Sequence, residues 1–233
     1  MTTYRDRHNI SHLELYEAIR NDILTLVYKP GQLLSESLIT TRFQVSRSPV
    51  RTVFTRLAEE NLLEIRPQKG SFVSLLDFDF IKDIVYMRTL VEADVLRTVA
   101  GKADPGLLAD LEANLAGQKL AILQRQPLVQ FNRLDSEFHA LSFAAAGRRQ
   151  LWQVLQASEV HYQRFRHLDI VSDDLLESLY QEHAAIGRLI RAQDQDRLTK
   201  AITDHLQGGI RRLESHILTG HPEYFLPVTR PAP

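Results

Sequence analysis

Apolar residues recur at helical spacing over most of this chain, and the breaks in that pattern divide it into elements. Ser11 can cap a first helix, and Lys29-Pro30-Gly31 marks its end. Further along, two short runs enriched in strand-forming residues flank a turn that contains Gly70. The predicted elements are helices near residues 11–27, 36–43 and 46–60, then strands at 62–66 and 71–75. This order of helix, helix-turn-helix and hairpin predicts a winged helix over residues 1–75.

After a predicted linker at 76–79, the pattern changes to long amphipathic helices separated by clear Gly, Pro and Asp breaks. The predicted helices cover residues 78–100, 105–125, 128–146, 149–168, 173–192 and 196–218. Their short connections favour antiparallel neighbours. The fold class is therefore mostly α, an N-terminal winged helix-turn-helix followed by an all-α antiparallel six-helix bundle over residues 80–220. Residues 221–233 form a proline-rich tail without a core pattern.

Composition places this chain among globular proteins and narrows its chemistry. With 233 residues, 44% hydrophobic and 24% charged, the chain is long enough for two domains. Its lack of cysteine excludes disulfides and thiolate metal sites, so His, Asp and Glu are the available metal ligands. The N-terminus does not resemble a signal peptide, and no apolar run is long enough for a membrane span. We expect a cytoplasmic protein that does not associate with membranes.

Positive charge is concentrated on the third predicted helix, although the whole chain has a net charge of -1. Residues 42–56 contain four arginines and no acidic residue. Such a face is often only a solvated surface, but a helix-turn-helix exposes the N-terminal half of its second helix to the major groove. Arg47 and Arg51 lie four residues apart on that half, and each can bind a guanine edge or a phosphate with two hydrogen bonds.

Smaller polar residues complete this predicted DNA-binding surface. Ser46 and Ser48 are short donors suited to phosphates, although Ser46 is equally an ordinary helix cap. Lys69 and Gly70 lie at the tip of the predicted wing, where they are either a plain turn or a point of close approach to the duplex.

The segment PGQLLSESLITTRFQVSRSPVRTVFTRLAEENLLEIRPQKGSFVS, residues 30–74, resembles the GntR family of bacterial transcriptional regulators. By this resemblance Arg47, Ser48, Arg51, Lys69 and Gly70 contact DNA, and the protein is a homodimer on a palindromic operator. Three positions depart from the family pattern. Ser37 replaces an arginine, Thr52 replaces a glutamate and Asn61 replaces a glycine. Thr52 lies on the exposed face of the reading helix, so the sequence predicts an operator that differs from those of relatives with glutamate there.

Four polar residues are predicted to point into the core of the bundle. Asp135 and His139 stand at i and i+4, while His183 and His205 fall within apolar stripes on the last two helices. A single residue of this kind is usually hydrogen-bonded in a core. Four of them in a bundle without cysteine indicate a divalent metal site with coordination positions left open for water or a ligand.

Arg88 and Glu92 interrupt the apolar stripe of the first bundle helix in the same way. One interpretation is a buried i,i+4 ion pair that fixes helix packing. The other is an effector site, in which Arg88 binds a carboxylate of the effector through two hydrogen bonds.

Residues 80–220 resemble the FCD ligand-binding domain of the FadR subfamily, in its VanR-like branch with six helices. The motifs are Arg88-x-x-x-Glu92, Asp135-x-x-x-His139, His183 and His205. The resemblance implies that Asp135, His139, His183 and His205 hold a divalent ion, zinc first, with nickel, manganese or iron as alternatives. The implied function is a transcriptional regulator whose operator binding responds to a small organic acid, a carboxylate, bound beside the metal.

A hydrolase and a DNA-packaging protein are the alternative functions. A metal-dependent hydrolase could use the same His and Asp residues, but it needs a general base, and Glu137 points away from Asp135 and His139 on their helix. A DNA-packaging protein would be far more basic than a chain with a pI near 6.8. The sequence therefore predicts a regulator and not an enzyme.

Overall fold

The computed structural model of the chain describes residues 10–102, 104–169 and 173–227, without the side chains of 169, 173 and 213–219. These residues divide into two compact units. The first unit contains the described residues up to Asp77 together with those from His221 onward, and the second contains residues 78–220. Residues 1–9 and 228–233, which the sequence analysis assigned to the winged helix and the tail, lie outside the described residues.

The first unit has the helices and the hairpin that the pattern predicted. Its elements are α1 (His12–Leu24), α2 (Glu36–Phe43), α3 (Arg47–Glu59), β1 (Leu63–Arg66) and β2 (Gly70–Val73). Ser11 caps α1 in a capping box, in which its hydroxyl accepts from the Glu14 backbone and the Glu14 carboxylate accepts from the Ser11 backbone. Apolar side chains from all three helices form the core, among them Ile19, Ile39 and Leu57, each fully buried.

The wing is an antiparallel pair in which Leu63 faces Val73 and Arg66 faces Gly70. Gly70 has a φ of +112°, and a Cβ atom there would lie 2.8 Å from Leu33 Cδ1. The fold itself therefore requires glycine at this position. The segment before α2 also pairs with β2, since the Leu34 amide donates to the Ser71 carbonyl at 2.8 Å. The sequence pattern did not predict this additional pairing.

Asn61, which stands where the resembling family has glycine, has a φ of +58°. Asparagine tolerates the left-handed region better than most residues, so the replacement preserves the turn between α3 and β1. The backbone of that turn is also tied to the wing, because the Ser74 hydroxyl donates to the Asn61 carbonyl at 2.6 Å.

The segment after residue 220 returns to the first unit. Leu76 and Phe225 form a parallel bridge, with the Leu76 amide donating to the Tyr224 carbonyl at 2.8 Å and the Leu226 amide donating to the Leu76 carbonyl at 2.9 Å. Phe225 is 6% exposed. The sequence pattern assigned no core contact to this segment, because a single buried aromatic among prolines has no periodicity to reveal it.

All regular elements of the second unit are helices where the structure describes it, which confirms the predicted fold class. Its helices are α4 (Phe78–Ala100), α5 (Pro105–Leu123), α6 (Leu128–Ala145), α7 (Arg149–Ser158), α8 (Val160–Asp169), α9 (Asp173–Arg191) and α10 (Gln195–Gly220). Helix α4 packs against α10, α5 packs against α6 and α9, and α9 packs against α10.

The structure divides the fourth predicted bundle helix at Glu159, so the described bundle has seven helices instead of six. Glu159 is 5% exposed, and its carboxylate lies 3.1 Å from Nε of Arg88. Neither glycine nor proline marks the break, and apolar spacing continues through both halves. The buried ion pair is a tertiary contact, so the local pattern carried no signal of it.

Among the described residues, no helix combines the length and the apolar character needed to cross a bilayer.

We expect Phe225→Ala to lower the free energy of unfolding by about 3 kcal/mol, because it removes a buried aromatic side chain from the first unit. Leu226→Ala is the matched control, since its neighbouring side chain is 45% exposed and should lose less than about 1 kcal/mol. Urea unfolding followed by far-ultraviolet circular dichroism measures both variants. Equal stability of the two variants would contradict a core role for Phe225.

Candidate functional site

All seven residues predicted to contact DNA are exposed on α3 or on the wing: Ser46, Arg47, Ser48, Arg51, Thr52, Lys69 and Gly70. The opposite side of α3 buries Val50, Val53, Phe54 and Leu57. This burial fixes the helix with its cationic side outward, as the helical pattern predicted.

The two arginines of this face keep guanidinium donors available for an external anion. Arg47 makes no hydrogen bond or ion pair with the part of the chain that the structure describes. Arg51 uses Nε to donate to Glu36 at 2.8 Å, a contact between α3 and α2 that orients its guanidinium. Ser46 occupies the N-cap position of α3, but its hydroxyl makes no capping bond. The backbone position was therefore predicted correctly, whereas the expected side-chain cap is absent.

The four predicted metal ligands meet at one buried point in the second unit. The candidate ligand atoms of Asp135, His139, His183 and His205 all lie within 4.8 Å of one another. Nε2 of His205 is 3.3 Å from Nε2 of His183 and 3.3 Å from Nε2 of His139. An oxygen of Asp135 is 3.5 Å from Nε2 of His183. We call this set the His-Asp cluster.

Each imidazole of the His-Asp cluster is held through its other nitrogen. Nδ1 of His139 lies 2.6 Å from the Glu92 carboxylate on α4, and Nδ1 of His205 lies 2.7 Å from Glu182 on α9. Nδ1 of His183 lies 2.9 Å from the side-chain oxygen of Gln118 on α5. The side-chain nitrogen of Gln118 donates to the side-chain oxygen of Asn114, and the side-chain nitrogen of Asn114 donates to the Leu134 carbonyl. An acceptor at each Nδ1 assigns the proton there and leaves the three Nε2 lone pairs directed at one another.

This donor set fits a divalent transition metal. Three neutral imidazole nitrogens and one carboxylate oxygen are typical ligands of zinc, nickel, manganese or iron(II), and an acceptor behind each histidine is the usual outer partner of a metal-bound imidazole. Without a cation between them, three buried lone pairs would repel one another. The helical spacing predicted that Asp135, His139, His183 and His205 point into one core, and the structure brings them together. Gln118 and Glu182 were not predicted, because their positions depend on contacts between helices.

Arg166 on α8 also contacts the His-Asp cluster, and no spacing in the sequence predicted it. Its guanidinium binds Asp135 in a bidentate ion pair, with Nη1 at 2.6 Å from one carboxylate oxygen and Nη2 at 2.8 Å from the other. The two side chains are 18% and 2% exposed. Asp135 thus has a strong partner of opposite charge on α8, in addition to the histidines.

Arg88 and Glu92 form the buried ion pair that the sequence analysis left open as one interpretation. Nε of Arg88 donates to Glu92 at 2.6 Å and lies 3.1 Å from Glu159. Its guanidinium also lies over the ring of Tyr162, 5.2 Å from the centroid. Glu92 accepts from His139 with its other oxygen. Arg88 and Glu92 therefore surround the His-Asp cluster without being members of it. Direct contact of these two residues with an effector stays a prediction.

Burial and neighbouring charges set the protonation states in this region. The pKa of Glu92 falls to about 2, because the attraction of Arg88 and His139 outweighs desolvation. Arg166 and the histidines hold the pKa of Asp135 far below its ordinary value against the same desolvation. Burial lowers the pKa of His183 and of His205, and it lowers the pKa of His167 to about 4 with a contribution from Arg166. Protonation of these three histidines is thus unfavourable at neutral pH.

Glu137, the residue considered as a general base, is exposed and pairs with Arg133 on the outside of α6. It lies on the opposite side of the helix from Asp135 and His139, as the spacing predicted.

Two family models match the chain, and together they cover both units. Residues 12–73 match the model described as bacterial regulatory proteins, gntR family. Residues 83–208 match the FCD domain model. The second match covers more than half of the chain and includes every residue of the His-Asp cluster.

Individual relatives agree with these matches. The chain is 33% identical to the HTH-type transcriptional repressor RspR of Escherichia coli over 194 residues, which cover 83% of this chain and 85% of that protein. It is 30% identical to an HTH-type transcriptional regulator of Streptomyces ambofaciens, over 91% of this chain and 88% of the other. A solved GntR structure from Rhodococcus sp. RHA1 superposes with a TM-score of 0.72 at 19% identity, over 88% and 98% of the two chains, and shows the fold. The two sequence relatives are named as transcriptional regulators and not as enzymes, which confirms the prediction of a regulator over a hydrolase.

The lowered pKa values of the buried His183 and His205 and of the half-buried His167 predict acid sensitivity of the metal-free protein. Below pH 6.5 the unfolded histidines bind protons that the folded ones do not, so stability is full above that pH and falls as the pH drops. Each histidine should contribute up to about 1.4 kcal/mol per pH unit. Urea unfolding between pH 7.5 and 5.5 in the presence of a chelator measures this slope. His167→Gln should reduce the slope by the contribution of one histidine. A flat profile in the wild type would contradict the prediction.

Proposed function

This chain belongs to the GntR family of bacterial regulatory proteins and carries an FCD domain, and from that premise we propose how its two units share the regulatory task. The protein is a DNA-binding transcriptional regulator. In our proposal the first unit reads a palindromic operator as part of a homodimer in the cytoplasm. The second unit binds a small carboxylate at a divalent metal, and that binding changes the affinity for DNA.

The exposed cationic face of α3 supports the operator-binding half of the proposal. Arg47 and Arg51 project from the first two turns of α3, where a helix-turn-helix contacts base edges in the major groove. Ser46, Ser48 and the wing residues Lys69 and Gly70 lie where phosphate contacts position the protein on the duplex. Thr52 shares the exposed face and can contact a base through its hydroxyl or its methyl group. Two such helices in a homodimer match the two half-sites of a palindrome.

The geometry of the His-Asp cluster is the observation that carries the metal half of the proposal. Three Nε2 atoms and one carboxylate oxygen converge, and each imidazole is oriented by an acceptor from another helix. We assign the four residues as ligands of one divalent ion, with zinc first and nickel, manganese or iron as alternatives. When bound, the ion would supply the positive charge that holds a carboxylate at the remaining coordination position. Glu92, Gln118 and Glu182 keep the imidazoles aimed at that point.

Replacing the reading-helix arginines should weaken binding to operator DNA. Arg47→Ala and Arg51→Ala should each reduce affinity about tenfold or more, because a bidentate contact to a guanine is worth roughly 1–3 kcal/mol. Arg191→Ala is the control, since that arginine lies on α9 with a side chain that is 55% exposed. The test uses a duplex selected by the wild type from a random pool, with affinity measured by fluorescence anisotropy at fixed salt. Wild-type affinity in both α3 variants would contradict this assignment.

Removing an outer partner of the cluster should weaken metal binding without removing a ligand. We expect about one zinc ion per chain in the wild type, and none in the double variant His183→Ala/His205→Ala. Gln118→Leu should lower zinc affinity by about 10- to 100-fold, because His183 loses the acceptor that orients it. The control Gln181→Leu changes an exposed glutamine on α9. Competition with a chromophoric chelator measures all four proteins. A wild type that takes up neither zinc, nickel nor manganese would contradict the metal site.

A further inference from the structure

An acidic side chain from α2 contacts the reading helix α3. Glu36 is the first residue of α2, directly after the Ser35 cap, where the helix dipole favours a negative charge. Its carboxylate accepts from Nε of Arg51 at 2.8 Å, and the two side chains are 32% and 67% exposed. An ion pair this exposed contributes little to the free energy of unfolding, and a carboxylate beside phosphates weakens the attraction to DNA. The effect of Glu36 is therefore to be sought in what it does to Arg51.

The two arginines of the reading helix differ in how they are held. Arg47 makes no contact that would orient its guanidinium within the described part of the chain. Arg51 is held at Nε, and its Nη1 and Nη2 atoms make no hydrogen bond with the described residues. A planar guanidinium fixed at Nε presents its two Nη groups end-on as paired donors. Because this side chain is already partly ordered, it loses less rotamer freedom when it binds.

The local charge decides which DNA group suits these paired donors. Both a guanine edge, with acceptors O6 and N7, and a phosphate can accept two hydrogen bonds from a guanidinium. A phosphate bound to Arg51 would lie close to the carboxylate of Glu36 and be repelled by it, whereas a base edge has no net charge. The next residue of α2 is Ser37, where the resembling family has an arginine, so this position adds no cation to offset Glu36. The pair therefore favours guanine over phosphate.

We propose that Glu36 is a positioning residue that makes Arg51 a reader of guanine in the major groove. Arg51 binds O6 and N7 through its two Nη groups, while Glu36 holds Nε and disfavours the alternative contact with a phosphate. Glu36 thus increases sequence specificity at the expense of attraction to DNA in general. The inference rests on the proposed function and goes beyond it, because the sequence analysis left guanine and phosphate open as partners of Arg51.

The test uses the full chain and a duplex that the wild type selects from a random pool. Each guanine of a half-site is replaced in turn by 7-deazaguanine, which lacks the N7 acceptor, or by inosine, which keeps both O6 and N7. We expect one guanine at which 7-deazaguanine, but not inosine, weakens wild-type binding by about fivefold or more. Arg51→Ala should abolish this loss. Fluorescence anisotropy at fixed salt measures each affinity.

The Glu36 variants separate positioning from charge. Glu36→Ala should reduce the 7-deazaguanine loss to about twofold or less, and it should bind an unrelated duplex about twofold or more tightly than the wild type. Glu36→Gln keeps an acceptor oxygen for Nε, so it should retain the 7-deazaguanine loss. The control Glu64→Ala removes an exposed carboxylate from the wing, where it pairs with Arg66 at 2.7 Å. This control should change both duplex affinities by the same factor and leave the 7-deazaguanine loss unchanged.

The remaining outcomes contradict separate statements. A wild type that selects no duplex contradicts the proposed operator binding, and this inference with it. A selected duplex without a guanine whose 7-deazaguanine loss depends on Arg51 contradicts the guanine contact alone. An Arg51-dependent loss that is unchanged in Glu36→Ala contradicts the positioning role. If Glu36→Ala fails to fold, Glu36→Ser, whose side chain is too short to reach Nε of Arg51, decides by the same comparison.

Discussion

The second unit depends on the mutual arrangement of three imidazole rings whose Nε2 atoms converge. Each ring is held by a hydrogen bond from Nδ1 to an acceptor on another helix: Glu92 on α4, Gln118 on α5 and Glu182 on α9. The histidines themselves come from α6, α9 and α10. Five helices are therefore fixed relative to one buried polar point. Loss of any acceptor would leave a buried N–H group unsatisfied and turn a ring away from the others.

Around this point the guanidinium groups of Arg88 and Arg166 contact carboxylates. Arg88 lies between Glu92 and Glu159, and Arg166 forms a bidentate ion pair with Asp135. Breaking one partner of a buried pair leaves an uncompensated charge and typically costs about 3–5 kcal/mol.

The chain passes between the two units twice. It leaves the first unit after Asp77, and it returns after α10 in the segment that pairs with Leu76 and buries Phe225. Helix α10 also carries His205, so one continuous helix runs from the His-Asp cluster toward that returning segment. The second unit is thus covalently joined to the first at both its N-terminal and its C-terminal residue.

The sequence by itself determined the winged helix, the exposed arginines of α3 and the four converging residues. These features follow from local spacing: a period of 3.6 places Asp135 beside His139, and it turns His183 and His205 toward a core. Only the tertiary structure determined the hydrogen bonds between side chains of different helices, the helix break at Glu159 and the burial of Phe225 in the first unit. Contacts between residues far apart in sequence, such as Arg166 with Asp135, leave no periodic trace, because either side chain alone is compatible with an exposed or a buried position.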